Sequence, residues 1–480
     1  MKGLTKITDY LWEIPKTGDM RVPGRIYITA EMLANQYDNN EAFKQVANVA
    51  HLPGIQKYSI AMPDIHWGYG FPIGGVAATD LSHGVISPGG VGYDINCGVR
   101  LAATNLTIAD VSPKINELVN KLFSTIPTGV GSAGAIKKID KIQLNRAILQ
   151  GSAWSIEMGF GTGDDLLFTE EGGKLQGASI ESLSERVYER AINQIGTLGS
   201  GNHFLEVDVV DEIFDEKTAA AFGLFKGQIV ILIHTGSRAF GYQVCDDYIK
   251  IHLEKSMKSG IKLPDKQLAC APINSPEGED YLTSMNAAAN FAWNNRQVIM
   301  HLSKQALLDI FKIPESSLGF RLVYDVCHNI AKIEEHKIGK TIKKVCVHRK
   351  GATRAFPKNN PHIPKAYMDV GQPVLIPGDM GRYSYVCVGS EKAMNETFGS
   401  SCHGAGRILS RTRALKEGKG RNLIDELRKN GIIVKAKGTA TVAEEMSSAY
   451  KDVADVVDVM HSAGITPRVA KLKPIGVIKG

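Results

Sequence analysis

Apolar positions recur at helical spacing in 112–126. Ile115, Leu118, Val119, Leu122, Phe123 and Ile126 share one face, and Pro113 stands in the first turn, where its missing N–H costs nothing. Comparable spacing predicts helices over 182–196 and 282–311. A single helix is predicted over 441–464, opened by a capping box from Thr441 to Glu444 and closed near Gly464. Other runs follow a strand pattern. "GQIVILIH" (227–234) is built on the apolar run "IVILI", "VCVHRKG" (345–351) reads as a strand, and "PVLIPGDMGRYSYVCVG" (373–389) reads as two strands joined at Gly378–Gly381. Helices and strands alternate without a regular βαβ beat, and no GxGxxG follows a first strand. The expected class is α+β, one large mixed domain over 1–480 with sheet layers flanked by helices.

Composition narrows this picture. With 480 residues the chain can bury a large core, and its apolar runs are far too short to span a bilayer. The N-terminal stretch lacks the apolar stretch of a secretory signal, so a cytoplasmic protein is expected. Seven cysteines without a CxxC pair argue against a disulfide framework or zinc ribbon, and each cysteine is by default a small buried hydrophobe. The formal net charge of +6 hints at an anionic partner. Lysine and arginine crowd 339–354 and 407–421, which on charge alone read as solvated basic faces.

The candidate chemistry lies in glycine-rich loops. In "SPGGVGYDINCGVR" (87–100), Asp94 and Cys97 stand three apart in a stretch too turn-rich for a regular element. Their side chains can reach one point, as metal ligands or as a turn-capping Asp beside a buried Cys. His203 follows the glycines of "GTLGSGNHFLE" (196–206), His234 ends the run "IVILI", and His328 sits in "YDVCHNIA" (324–331). Three histidines at such places, alongside an Asp/Cys pair, are consistent with dispersed metal ligands. Thiolate and imidazole ligands by themselves point first to zinc or iron. "SSCHGAGR" (400–407) sets His403 before two glycines and Arg407, good chemistry for a phosphate. "AMPDIHWGYGFPIGG" (61–75), with His66 and Trp67, is expected to support the next loop.

Taken in order, "GYDINCGVR", "GSGNHFLE", "HTGSR", "CHN", "PGDMGRYSYV" and "SCHGAGR" resemble the RtcB family of RNA ligases, and "MPDIHWGYGFPIGG" extends the likeness upstream. The resemblance implies an enzyme that joins a 3′-phosphate or 2′,3′-cyclic phosphate RNA end to a 5′-hydroxyl, as in tRNA splicing and RNA repair, using GTP and two Mn²⁺ ions in a central cleft. It implies that Asp94, Cys97 and His203 hold one ion, and Cys97, His234 and His328 the other. His403 is then the nucleophile that takes GMP. The implied guanylate pocket comprises Asn202, His203, Phe204, Leu205, Glu206, His328, Asn329, Pro377, Gly378, Asp379, Met380, Ser384, His403, Gly404, Ala405, Gly406, Lys479 and Tyr450, the last packing on guanine from the apolar side of the 441–464 helix. RNA is the implied substrate, and an archease-type activator is among the candidate partners.

A neutral imidazole already carries a lone pair at pH 7, unlike the lysine used by most nucleotidyl transferases. Arg238, Arg349, Arg354, Arg407 and Arg411 are the cations expected to track RNA phosphates. Two other readings stay open, a dinuclear-metal phosphoesterase that opens cyclic phosphates without joining, and a non-catalytic RNA-binding protein. Neither requires a nucleophilic histidine in a glycine loop.

Overall fold

The computed structural model describes residues 3–35, 40–129, 131–136 and 139–480. The apolar run 227–234 forms the strand Gln228–Thr235, buried along its whole length near the middle of an eight-stranded sheet. The strands Gly98–Thr107 and Phe204–Ile213 pair antiparallel on either side of it. Side chains alternate between faces. Ile229, Ile231 and Ile233 pack into one cluster with Leu118, Val119 and Leu122 of the helix Ile115–Thr125. Val230 and Leu232 pack into another on the opposite face. A strand covered on both faces reads as a continuous apolar run.

Beyond Phe204–Ile213 the sheet continues through Arg468–Lys479, Ser384–Val388 and Pro373–Ile376, and Ile433–Ala436 runs parallel beside Arg468–Lys479. The last two of the main series form the expected hairpin, closed by the loop 377–383. A second sheet of seven strands includes Ser59–His66, Ile73–Asp80, Thr341–Lys350 and Asn329–Ile338. The short pair Ala352–Arg354 and Ser400–Cys402 carries the chain to His403. The mixed α+β class is as expected.

The predicted helix over 282–311 is a 36-residue helix, Pro276–Phe311. It starts earlier because Ser275 accepts from the Gly278 N–H and Pro276 fills the first turn. The prediction over 182–196 shortens to Glu185–Ala191. The single helix expected over 441–464 does not form. Thr439–Glu444 and Val453–Ser462 are separate helices, the first begins after Gly438, and no Thr441–Glu444 capping box opens it. Met446 and Tyr450 take extended backbone angles between them, and Asp452 caps the second helix through the Ala454 N–H. Tyr450 therefore stands in a turn and not on a helix face. All seven cysteines are buried and unbridged. Among the described residues no helix is long and apolar enough to cross a membrane.

Candidate active site

The loop between the turn at Pro88–Gly90 and the strand Gly98–Thr107 folds back on itself. Asn96 adopts a left-handed φ of 52°, and the Cys97 N–H donates to the Asp94 carbonyl at 2.9 Å. Both side chains thereby face the same point. The long helix Pro276–Phe311 fixes this loop from beneath with buried polar residues. Arg296 donates to the Asn96 carbonyl at 2.7 Å and the Thr235 carbonyl at 2.9 Å, with Asp325 neutralising its charge. Asn295 accepts from the Gly196 and Thr197 N–H groups and donates to the Gly236 carbonyl. The segments bearing Cys97, His203 and His234 are thus tied to one helix. Gly236 has no alternative here, since a Cβ at that position would lie 2.5 Å from an Asp94 carboxylate oxygen.

Cys97 Sγ lies 3.4 Å from His203 Nε2 and 3.4 Å from His234 Nε2. His234 Nε2 is 3.4 Å from His328 Nε2, and Asp94 Oδ2 is 2.8 Å from His203 Nε2. The donors fall into two sets, Asp94/Cys97/His203 and Cys97/His234/His328, each within 4.8 Å, with Cys97 common to both. Burial drives the imidazoles of His203, His234 and His328 below their ordinary range, the last two far below it, which leaves them neutral, the ligand form. Burial, with Asp94 beside it, pushes the Cys97 thiol up. The oxygen, nitrogen and sulfur donors fit two divalent ions sharing one thiolate.

His403 leaves the strand Ser400–Cys402 with its Nδ1 2.6 Å from Asp64 Oδ2. The same oxygen accepts from the backbone N–H of His403 at 2.9 Å and of Gly404 at 3.3 Å. Burial alone raises the Asp64 carboxyl, but the His403 charge and hydrogen bonds outweigh it, and the net shift is downward. With Nδ1 committed to Asp64, Nε2 is the free nitrogen, and the ring lies beside His328 with centroids 4.8 Å apart. Gly406, at φ +75°, is forced, because a Cβ there would sit 2.2 Å from the Asp64 carbonyl oxygen. The sequence reading missed Asp64. Its signal was a carboxylate in the Pro-Asp turn of "MPDIHWGYG", a candidate orienter for a distant histidine. His66 of the same stretch reaches the cavity, whereas Trp67 is 61% exposed.

A cavity of about 320 Å³ opens over these groups. Asp94, Cys97, His234, His328 and His403 line its floor, and Gly404, Ala405 and Gly406 one wall. Pro377, Gly378, Asp379 and Met380 contribute from the hairpin loop, where Ser384 Oγ accepts from the Gly378 N–H at 3.1 Å. Asn202, Phe204, Asn329, Tyr450 and Lys479 also face it. The Asn329 side chain is partly committed, since it donates to the Asp94 carbonyl and accepts from the Gly351 N–H. Lys479 is buried at the end of the last strand, its ammonium over the Phe204 ring. Glu206 is fully buried, and among the described residues neither carboxylate oxygen has a hydrogen-bond partner. Burial, with Asp208 two residues along the same face, drives its carboxyl far up. Leu205 is a correction. Strand alternation turns its side chain to the opposite face, into the cluster with Ile231 and Ile233, so the side chain does not face the cavity. Tyr69, Tyr93, Lys350 and Glu445 line the cavity without having been expected there. Glu445 pairs with Arg407 at 3.0 Å and accepts from the Tyr450 hydroxyl.

The five arginines expected on RNA divide. Arg349 and Arg354 are corrections, being buried at 0% and 1% exposure. Arg349 is clasped by both oxygens of Glu334, at 2.7 and 2.8 Å, and Arg354 pairs with Glu170 and Glu171. These guanidiniums balance buried carboxylates and are not a surface for phosphates. Arg349→Met leaves Glu334 buried without its guanidinium and with only the His336 imidazole beside it, so a loss of about 3–5 kcal/mol is expected in denaturant unfolding. A loss below about 1 kcal/mol, the range of exposed pairs, contradicts the assignment. Arg238 is turned inward to His203 Nδ1 at 2.7 Å, and Arg407 is taken up by Glu445, Tyr450 and the Glu444 carbonyl. Arg411 keeps 58% of its side chain exposed at the cavity mouth. If it meets one RNA phosphate, Arg411→Ala lowers the slope of log affinity against log salt by about one unit. An unchanged slope removes it from the RNA path.

Comparison with known proteins agrees with this arrangement of motifs. Residues 45–480 match the family model described as tRNA-splicing ligase RtcB. The chain is 52% identical to the tRNA-splicing ligase RtcB of Archaeoglobus fulgidus, over 100% of both chains. It is 52% identical to that of Thermococcus kodakarensis, over 100% of this chain and 99% of the other. It is 50% identical to that of Methanococcus maripaludis, over 99% of each. With a family match over most of its length and half its residues shared across whole chains, this protein belongs to the RtcB family of tRNA-splicing ligases.

Proposed function

We propose that this chain is a GTP-dependent ligase joining RNA 3′-phosphate or 2′,3′-cyclic phosphate ends, such as those of tRNA halves, to 5′-hydroxyl ends. The observation that carries the reading is His403, held through Nδ1 by Asp64 with Nε2 left free, in the same cavity as the two ligand sets around Cys97. Mn²⁺ is the ion we assign to both sets, with Asp94, Cys97 and His203 holding one and Cys97, His234 and His328 the other. When bound, the ions supply positive charge against the phosphate oxygens and the attacking hydroxyl.

In the first step His403 Nε2 attacks the α-phosphorus of GTP, forming a P–N bond as pyrophosphate leaves. Asp64 accepts the Nδ1–H and stabilises the positive ring that results. Gly404, Ala405 and Gly406 bring the backbone to the cavity wall beside the phosphate. A cyclic phosphate is opened by water to a 3′-phosphate, whose oxygen then attacks the same phosphorus and breaks the P–N bond. His403 departs neutral, and the RNA carries a pyrophosphate bridge to guanosine. The 5′-hydroxyl attacks the RNA phosphorus, GMP leaves, and the junction phosphate is the one the RNA brought.

Guanine lies against Tyr450 and Phe204, near the buried carboxyl of Glu206, and Lys479 faces the negative charge of Glu445. The test uses RNA labelled at its 3′-terminal phosphate, with a 5′-hydroxyl partner, GTP and Mn²⁺. The expected result is a joined strand with the label protected at the junction. Opening of the cyclic phosphate without joining contradicts the ligase reading and leaves the phosphoesterase.

A further inference from the structure

Lys451 follows Tyr450 in the turn that breaks the expected helix. Its side chain runs inward, and the ammonium donates to the Pro63 carbonyl at 2.9 Å and the Ile65 carbonyl at 2.7 Å. Those two carbonyls flank Asp64. The Lys451 backbone N–H donates to the Gly406 carbonyl at 3.0 Å, and its carbonyl accepts from Arg382 at 2.9 Å. One residue therefore joins the end of the strand Ser59–His66 around Asp64, the loop after His403 and the hairpin loop that walls the cavity.

A buried ammonium that meets only carbonyl oxygens is costly unless a negative group lies near. Asp64 is that group. Its Oδ2 takes all three bonds from the His403 loop, and its Oδ1 has no hydrogen-bond partner among the described residues. Burial lowers Lys451 to about 7, and Asp64 acts against that shift.

We propose that Lys451 is a positioning residue for His403: its ammonium grips the backbone on both sides of Asp64 and so keeps that carboxylate on the histidine Nδ1. Nothing in the sequence motifs points to it, and it belongs to neither the ligand sets nor the cavity lining, which it meets only through its backbone N–H on Gly406. The inference rests on His403 being the nucleophile. Lys451 then serves the step that uses that nucleophile and not the sealing step.

The test compares Lys451→Met with the parent in the full-length chain. Without added metal, ¹⁵N-histidine NMR reads the His403 Nδ1–H, expected as a low-field, exchange-protected proton in the parent and lost in Lys451→Met. With Mn²⁺ and GTP, formation of the GMP adduct slows by about a hundredfold, the scale of a misplaced reacting group. Joining of RNA that already carries 3′-pyrophosphoryl guanosine stays at the parent rate. If Lys451→Met does not fold, Lys451→Gln, which keeps amide donors without the charge, is read in the same way, with a smaller loss confined to adduct formation. Parent-like NMR and adduct rates, or equal losses in both steps, overturn the proposal. A parent that forms no adduct at all overturns the ligase reading instead, and the NMR comparison still decides the role of Lys451.

Discussion

Cys97→Ala is expected to lose most of both metal ions and all joining activity while remaining folded. Cys97 Sγ is the atom shared by the two ligand sets, at 3.4 Å from the imidazole nitrogens of His203 and His234. Its loss leaves each set with two donors. Mutating even an outer partner of a metal ligand weakens binding by about 10–100-fold, so losing a shared ligand should exceed about a hundredfold for both sites. The fold should survive, because a buried Cys→Ala change removes a single sulfur from a loop still fixed by Arg296 and Asn295. Cys245→Ala is the control, since Cys245 is equally buried but lies outside both sets. Elemental analysis after equilibration with Mn²⁺ should find the ions in Cys245→Ala and not in Cys97→Ala. Full occupancy in Cys97→Ala contradicts a shared thiolate.

His403→Ala should separate the steps. It removes the attacking nitrogen, so no GMP adduct forms and ordinary RNA ends are not joined, a loss expected to exceed about 10⁴-fold, as when a covalent nucleophile is deleted. It leaves Asp94, Cys97, His203, His234 and His328 in place. RNA supplied with a 3′-pyrophosphoryl guanosine should still be sealed to a 5′-hydroxyl. Cys97→Ala should fail on that substrate too. If His403→Ala is as inactive as Cys97→Ala there, the histidine acts in sealing as well. If it joins ordinary ends at the parent rate, it is not the nucleophile.

Local pattern carried what local forces decide. The strand Gln228–Thr235 was readable because both its faces are covered and its centre, Ile229–Ile233, is wholly apolar. The helix Ile115–Thr125 was readable because one face meets the sheet. The glycine loops around Asp94, Cys97, His234 and His403 were legible as polar groups among residues that allow close backbone approach. Where long-range contacts decide, the sequence is silent. Arg349 lies in a basic run, yet its fate is set by Glu334 on the neighbouring strand of a hairpin. Asp64 meets His403 across 339 positions. The helix expected over 441–464 breaks because Glu445 and Tyr450 are drawn to Arg407 and the cavity, and Lys451 to the strand backbone on either side of Asp64. Tertiary partners there outweigh a favourable helical pattern.

The most direct measurement is covalent labelling by GTP carrying ³²P at the α-phosphate, in Mn²⁺ and without RNA. Asp64 and the glycine loop set His403 Nε2 free toward the cavity, so the protein should retain one acid-labile, alkali-resistant label, as a P–N bond requires, and peptide mapping should place it on His403. Asp64→Asn should slow the labelling, and His403→Ala should abolish it. A parent protein that takes no label, or takes it on another residue while joining RNA, contradicts His403 as the nucleophile.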